Sequence, residues 1–335
     1  MKKITTALFL CAGLMSNAQE NINDLLAAGV NDAQRFTQDY LSPAGDGLMY
    51  GMNNGWFNSA RVKPFLGFEI SLIVNGSLIK DGKKSFVLDT SRYENLQFSD
   101  GSISKEVSTA LGDIEGIEVF VDGGQPGTLD DAVFRLPSGL ASEHINFIPT
   151  AVLQASIGLI KHTEVKVRLF PKTSYDDAAM TYYGFGVQHE LSAWLPADKL
   201  LPVAVSGLIS YSHLNGEYDF TETEVIAGEN QRIQTKADTW MFGLIASTKL
   251  PVINFYGSIG YLAGKSDTDL LGTYVVEQGP FQSETIVDPF SVDSKVSGAR
   301  VTLGTKLKLG FFRINADYTM AAFDSFNLGI NFGFR

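Results

Sequence analysis

The chain has 335 residues and a formal charge of -11, with 37 acidic against 26 basic side chains. Such a surplus of carboxylates disfavours nucleic acid as a partner, because phosphate binding needs a basic surface. The single cysteine is Cys11, so everything downstream of it lacks a disulfide or a thiolate metal site.

At the amino end, Lys2-Lys3 precede an apolar run from Ile4 to Met15 and then the small-x-small triplet Ser16-Asn17-Ala18. This reads as a cleaved secretory signal peptide over 1–18. The run falls short of the roughly 20 apolar residues a spanning helix needs. Leu10 stands before Cys11, where a lipid-attachment signal wants a small residue, so a lipoprotein anchor is disfavoured. The mature chain is expected to begin near Gln19, with a charge of -13 once Lys2 and Lys3 are removed (-11 - 2).

Residues 19–61 divide in two. Ile22, Leu25, Leu26, Gly29, Ala33, Phe36 and Tyr40 follow helical spacing from an Asn21 or Asn23 cap, and Ser42-Pro43 is expected to end the helix. The next segment combines Gly45, Gly47, Gly51 and Gly55 with Met49, Tyr50, Met52, Asn53, Asn54, Trp56 and Phe57. Flexible backbone beside bulky contact groups suits a hatch in a lumen. It suits equally a periplasmic tail packed under a barrel, and sequence alone does not place it. The whole region is read as a periplasmic helix and candidate hatch.

From residue 62 onward, period-two alternation dominates. Leu66, Phe68, Ile70, Leu72 and Val74 share one face of the first run, and further runs follow at Ala151–Leu159, Glu164–Phe170, Thr181–His189 and Val203–Tyr211. Later runs set Trp240, Phe242 and Leu244, then Ile253, Phe255 and Ile259, then Val301, Leu303 and Leu307, then Phe312, Ile314 and Tyr318 on one side. The last is faultless: Phe326, Leu328, Ile330, Phe332 and Phe334 oppose Asn327, Gly329, Asn331, Gly333 and Arg335.

Large apolar groups opposite small polar ones fit a wall between lipid and a wet interior. The expected fold is therefore all-β: an antiparallel transmembrane β-barrel of about ten to twelve strands over 62–335. Within 79–145, Lys84–Asp89, Ile117–Asp122 and Asp131–Leu136 look like strands, separated by Asp122-Gly123-Gly124 and Pro126-Gly127 turns. They either stand outside the membrane or add two spanning strands.

Alternating turn lengths support the barrel. Gly310-Phe311, Leu250-Pro251 and Lys161-His162 are short and assigned to the periplasmic side, whereas Ser212–Ala237 and Gly264–Ser297 are long and external. Trp194, Leu195 and Pro196 read as an interfacial turn. The long connections carry Glu217, Asp219, Glu222, Glu224, Glu229, Asp267, Asp269, Glu284, Asp288 and Asp293, taken as solvated loops without calcium-loop spacing.

Charges on the strands are assigned to the lumen and any solute path: Glu69, Glu164, Lys166, Arg168, His189, Lys306, Lys308, Arg313 and Asp317. A Lys or Arg at the midplane on the lipid side costs about 2–4 kcal/mol. Arg313, Asp317, Lys306 and Lys308 are expected to form one mixed cluster. His144, His162, His189 and His213 have no zinc spacing, and no cofactor or metal is expected. Ser212-His213 is the one stretch worth weighing for catalysis, but adjacent residues of a strand face opposite ways. An enzyme is not expected.

Several segments resemble an outer-membrane β-barrel family of the Bacteroidota type whose biochemical role is unassigned. They are Leu41-Ser42-Pro43-Ala44-Gly45 with Met49 to Trp56, Gly158 to Pro171, and Gly184-Phe185-Gly186-Val187-Gln188-His189 with Trp194-Leu195-Pro196. The order of helix, hatch and barrel is also similar to the long-chain fatty-acid transporter family. These resemblances imply a cell outer membrane protein, surrounded by outer-membrane lipid and inserted by the barrel-assembly machinery through its C-terminal strand. The function expected is a passive, porin-like channel or transporter for a small solute, and the second resemblance points to a hydrophobic one. The alternatives are a structural or surface-interaction barrel without transport and, behind it, a membrane lipid hydrolase.

Overall fold

The computed structural model describes residues 24–121, 133–175, 177–195, 202–220, 228–277 and 283–334. Outside them lie the expected signal at 1–18, Gln19, Asn21, Ile22, Asn23, the turns at Asp122-Gly123-Gly124 and Pro126-Gly127, Asp131, Pro196, Glu222, Glu224 and Arg335.

The elements in chain order are helix α1 (Val30–Gly51) and strands β1 (Phe68–Leu78), β2 (Ser85–Asp89), β3 (Leu96–Phe98), β4 (Ser104–Ser108), β5 (Glu118–Val121) and β6 (Val133–Arg135). They continue with β7 (Phe147–Gly158), β8 (Thr163–Tyr175), β9 (Ala178–Glu190), β10 (Val203–Asp219) and β11 (Gly228–Thr248). The last are β12 (Ile253–Glu277), β13 (Ser283–Val287), β14 (Phe290–Leu309), β15 (Phe312–Met320) and β16 (Ser325–Phe334).

Eleven strands share one antiparallel sheet. One of them, β13, pairs only with the outer part of β12, which leaves ten as the wall. The wall closes because β16 pairs back onto β1, Phe334 opposite Phe68 and Ser325 opposite Ser77, while β11 pairs with β12. Closure leaves no edge strand and pairs the backbone polar groups within the sheet.

The period-two reading holds along the wall. On β16, Phe326, Leu328, Phe332 and Phe334 are exposed, while Ser325, Asn327 and Asn331 are buried. The outward face of β1 is likewise apolar through Phe68, Ile70, Leu72 and Val74. Outer-face rings pack in tilted pairs between strands, as in Phe68 with Phe334 at 5.5 Å and Phe312 with Phe332 at 5.4 Å.

One end of the barrel, the turn end, carries the tight connections, including Gly310 at φ 69 between β14 and β15. At the other, extended end, the structure corrects the loop reading. Ser212–Ala237 and Gly264–Ser297 are largely continuous ladders, with Asn215 opposite Lys236 and Asp267 opposite Asp293. Glu217, Asp219, Glu229, Asp267, Asp269, Glu284 and Asp293 thus sit on strands prolonged above the apolar belt, which ends near Trp240 and Tyr261. The described residues of 79–146 add no wall strand. They form a cap beside the extended end, with β2 paired to β4 and β5 placed between β3 and β6.

The N-terminal region departs most from expectation. A helical turn over 24–27 is broken at Gly29, whose φ of 100 suits glycine, before α1 begins at Val30. The helix then runs through Pro43 to Gly51 and takes in much of the Gly-rich segment. Pro43 gives no N–H to the ladder, and neighbouring bonds compensate. Ser42 Oγ donates to the Gln38 carbonyl, and the Tyr40 carbonyl accepts from Ala110 N of the cap.

The helix is also at the other end of the barrel from the one expected. Its start lies at the extended end, where Asp32, 2% exposed, accepts backbone N–H bonds from Glu94, Asn95 and Leu96 of the cap. Phe36 and Tyr40 pack with Leu88, Leu96 and Phe98 of the cap and with Tyr274 and Val276 of β12. From there the chain descends inside the barrel and reaches β1 at the turn end.

Candidate functional site

A helix ending in a lumen leaves its last carbonyls without intrahelical partners. Here the barrel wall supplies them. Asn53 Nδ2 donates to the Met49 carbonyl at 2.9 Å and to Thr239 Oγ1 at 2.6 Å. The Met52 carbonyl accepts from Arg168 at 3.2 Å and from Tyr182 OH at 3.0 Å. Arg300 donates to the Asn53 carbonyl at 3.2 Å and to Asn54 Oδ1. Both guanidiniums are buried, and positive charge at a helix C-terminus is the sign its dipole favours.

Packing fixes the same segment. Met49, Tyr50, Met52, Trp56 and Phe57 are all buried among Ile73, Leu208, Met241, Tyr256 and Leu262 of the wall. The Trp56 ring lies under Arg168, whose guanidinium carbon is 3.9 Å from the ring centroid. On the wall, Gly184 and Gly186 make room for it. A Cβ on Gly186 would stand 2.9 Å from the ring, and one on Gly184 3.1 Å. The Gly-Phe-Gly triplet of β9 is thereby explained: glycines face the plug, and Phe185 faces outward.

Below Trp56 the chain is tied at nearly every residue. Gln188 Nε2 donates to the carbonyls of Ser59 and Ala60, and Ala60 N donates to Ser247 Oγ. Val62 N donates to Glu190, and Lys63 N to Glu164. Two buried carboxylates organise this end. Glu164 meets Lys166 at 2.6 Å and Lys63 at 2.8 Å. Glu69 meets Lys63 at 3.4 Å, Lys306 at 3.8 Å and Arg313. Asn58 bridges the plug to the network through Glu69, Lys306 and Asn331.

Eight of the nine charges assigned to the lumen side need little or no change of face. Glu69, Glu164, Lys166, Arg168, Lys306 and Asp317 are buried inside, and Arg313 is partly buried beside Glu69. Lys308 reaches the Leu250 carbonyl at the turn end instead of joining a cluster. His189 is a correction. It shares the outward phase of Phe185 and Val187, and its ring meets Thr163 Oγ1 and Trp194 Nε1. The single mixed cluster is a second correction. Arg313 pairs with Glu69, while Asp317 accepts from Tyr256 OH and Asn327, each at 2.7 Å.

Lys63, Asn58, Glu190 and Arg300 escaped the sequence reading. Arg300 could have been found, since it is in phase with Thr302 and Lys306 just before the expected start of that strand. Ser212 and His213 face opposite sides. Ser212 is buried near Tyr182 and Asn53, and His213 bonds Asp238 at 2.8 Å on the outer surface. Among the described residues, no group of three or more metal-ligating side chains occurs.

Above the plug, one face of α1 stands away from the wall. Leu41, Ala44, Leu48 and Met52 face Val152, Phe170, Met180 and Leu214 of β7 to β10 across a cavity of about 160 Å³, while Gly45 lies against Ser266 of β12. Its wall is mostly apolar, and Met52 and Tyr182 form its floor.

Structural comparison finds barrels of low overall similarity. Ail, the attachment invasion locus protein of Yersinia pestis, is 12% identical over 81% of this chain and 100% of its own, with a TM-score of 0.27. OmpT, an outer membrane protein of Vibrio cholerae, is 12% identical over 80% of this chain and 98% of its own, at 0.20. The translocator domain of the autotransporter NalP from Neisseria meningitidis is 9% identical over 80% and 88%, at 0.25. No curated protein sequence matches the chain. Residues 1–334 match the model of a family of unknown function (DUF6588), and the chain belongs to that family.

Proposed function

We propose that this protein is an outer-membrane barrel that takes up a small apolar solute and is held closed by its own N-terminal plug. The outward belt of Phe, Leu, Ile and Val supports placement in a bilayer, where charged groups belong inside. The secretory-type N-terminus supports the outer membrane as the address. Transport is passive in this reading: the plug residues Met49 to Phe57 gate the lumen, while Glu69, Glu164, Lys166, Arg168, Lys306 and Arg313 hold the gate shut.

The observation that carries the reading is the apolar cavity beside α1, directly above a floor made of plug. A barrel filled only for rigidity would pack that space, because empty apolar volume lowers stability. A solute resting there would touch Leu48 and Met52, residues of the segment that must move for anything to pass.

The test is conductance in planar bilayers. The mature chain is expected to conduct little, and a chain lacking residues 19–58 is expected to form an open pore. If both are silent and apolar solutes cross no faster than through protein-free bilayers, the uptake reading falls and a surface-interaction barrel replaces it.

A further inference from the structure

We infer that the cavity beside α1 is a site for an uncharged apolar molecule of single-ring or short-chain size, and that it discriminates against carboxylates. This rests on the uptake reading and names its solute class.

Size comes first. At about 160 Å³ the cavity is close to an apolar protein cavity of about 150 Å³ that stays dry and takes up benzene. The helix stripe that borders it leaves room for a ligand, with small Ala44 between Leu41 and Leu48.

Charge comes second. Among its lining residues there is no Lys, Arg or His. The two ionisable carboxylates, Glu217 and Asp293, lie toward the extended end, and each already has a cation: Arg232 at 3.4 Å and Lys295 at 3.7 Å. An entering carboxylate would lose water and meet two acids, with no cation among the lining side chains to receive it, an arrangement proteins avoid for buried charge.

Hydrogen bonding comes third. Tyr182 OH is engaged by the Met52 carbonyl and Ser212. Thr235 and Thr268 bond one another at 3.0 Å, Ser42 bonds Gln38, and Thr150 accepts from Asn75. Ser294 donates to Asp46, and with these hydroxyls partnered the surface offered to a ligand is mostly hydrocarbon, Ser266 being a remaining hydroxyl. Apolar burial at about 25 cal/mol per Å² is then the main source of affinity.

The probes are fluorobenzene, para-fluorobenzoate and para-fluorobenzylammonium, matched in size and followed by fluorine NMR with the purified full chain in detergent. Ala44→Phe fills the cavity from the helix, Met180→Trp fills it from the wall, and both control for partition into micelles. Fluorobenzene is expected to be broadened by the parent protein and not by either variant, with para-fluorobenzoate about tenfold weaker or more, a difference of about 1.4 kcal/mol. Equal or tighter binding of para-fluorobenzoate or para-fluorobenzylammonium overturns the solute class and leaves uptake standing. Fluorobenzene broadening that survives in both filled variants removes the cavity as the site. Absence of binding by all three probes overturns the inference, while the uptake reading stands or falls separately on the conductance of the chain lacking residues 19–58.

Discussion

The two halves of the lumen are built on different principles, although a single N-terminal segment passes through both. In the half near the turns, residues 49–63 are bound to the wall by two buried arginines, two buried carboxylates and an aromatic ring seated on wall glycines. In the half near the cap, α1 meets the cap through Asp32, Phe36 and Tyr40 but leaves an apolar gap on the side of Leu41, Ala44 and Leu48. The lower half joins its plug to the wall through buried charges; the upper half leaves an apolar space beside the helix. A plug that is tight at one level and loose at another can hold a solute without leaking.

The comparison breaks most readily at Glu69. Glu69→Ala leaves Lys63, Lys306 and Arg313 around an empty position, and removing one partner of a buried ion pair costs about 3–5 kcal/mol. The loss is expected as a lower urea midpoint for unfolding from vesicles, accompanied by new conductance. Trp56→Ala should cost a similar or slightly smaller amount, about 3–5 kcal/mol for a buried aromatic, measured in the same titration.

A matched pair of enlargements separates the halves directly. Gly186→Ala drives a methyl toward the Trp56 ring and is expected to cost about 1–3 kcal/mol. Ala44→Leu grows into the cavity and is expected to stabilise by about 0.5–2 kcal/mol. Equal destabilisation in the two variants would show that the upper half is packed as tightly as the lower.

The smallest effect is expected in the cap. Asp100 is exposed, and hydrogen bonds from Lys105 and then Ser102 hold its carboxyl at about 2, below the ordinary aspartate range. A depressed carboxyl contributes stability above its unfolded value and loses it as pH falls through the folded one. Asp100→Asn should therefore differ slightly from the parent in thermal melts at neutral pH, with the difference fading toward about pH 2. Neither conductance nor fluorobenzene binding should change.

The wall was legible because its signal is local. Phe326 to Phe334 alternate within one strand, and the same period assigned Glu69, Glu164, Lys166, Arg168 and Lys306 to the interior. It failed where phase was misread, as at His189, and where a strand was begun too late, as at Arg300. The long external loops were misjudged for another reason. Side chains such as Asp267 and Lys236 are polar enough for a loop, yet opposite one another on adjacent strands they complete a ladder.

By itself, then, the sequence determined the all-β class and, His189 apart, which charged side chains of the wall face inward, since a period of two acts between neighbours in the chain. Tertiary structure alone decided that α1 starts at the cap, continues through Pro43 and fills the barrel. It also decided that Arg300 closes on Asn53, which is 247 residues away along the chain. No repeating pattern records such a contact; it exists because closing ten strands brings distant residues around one buried helix end whose carbonyls need donors.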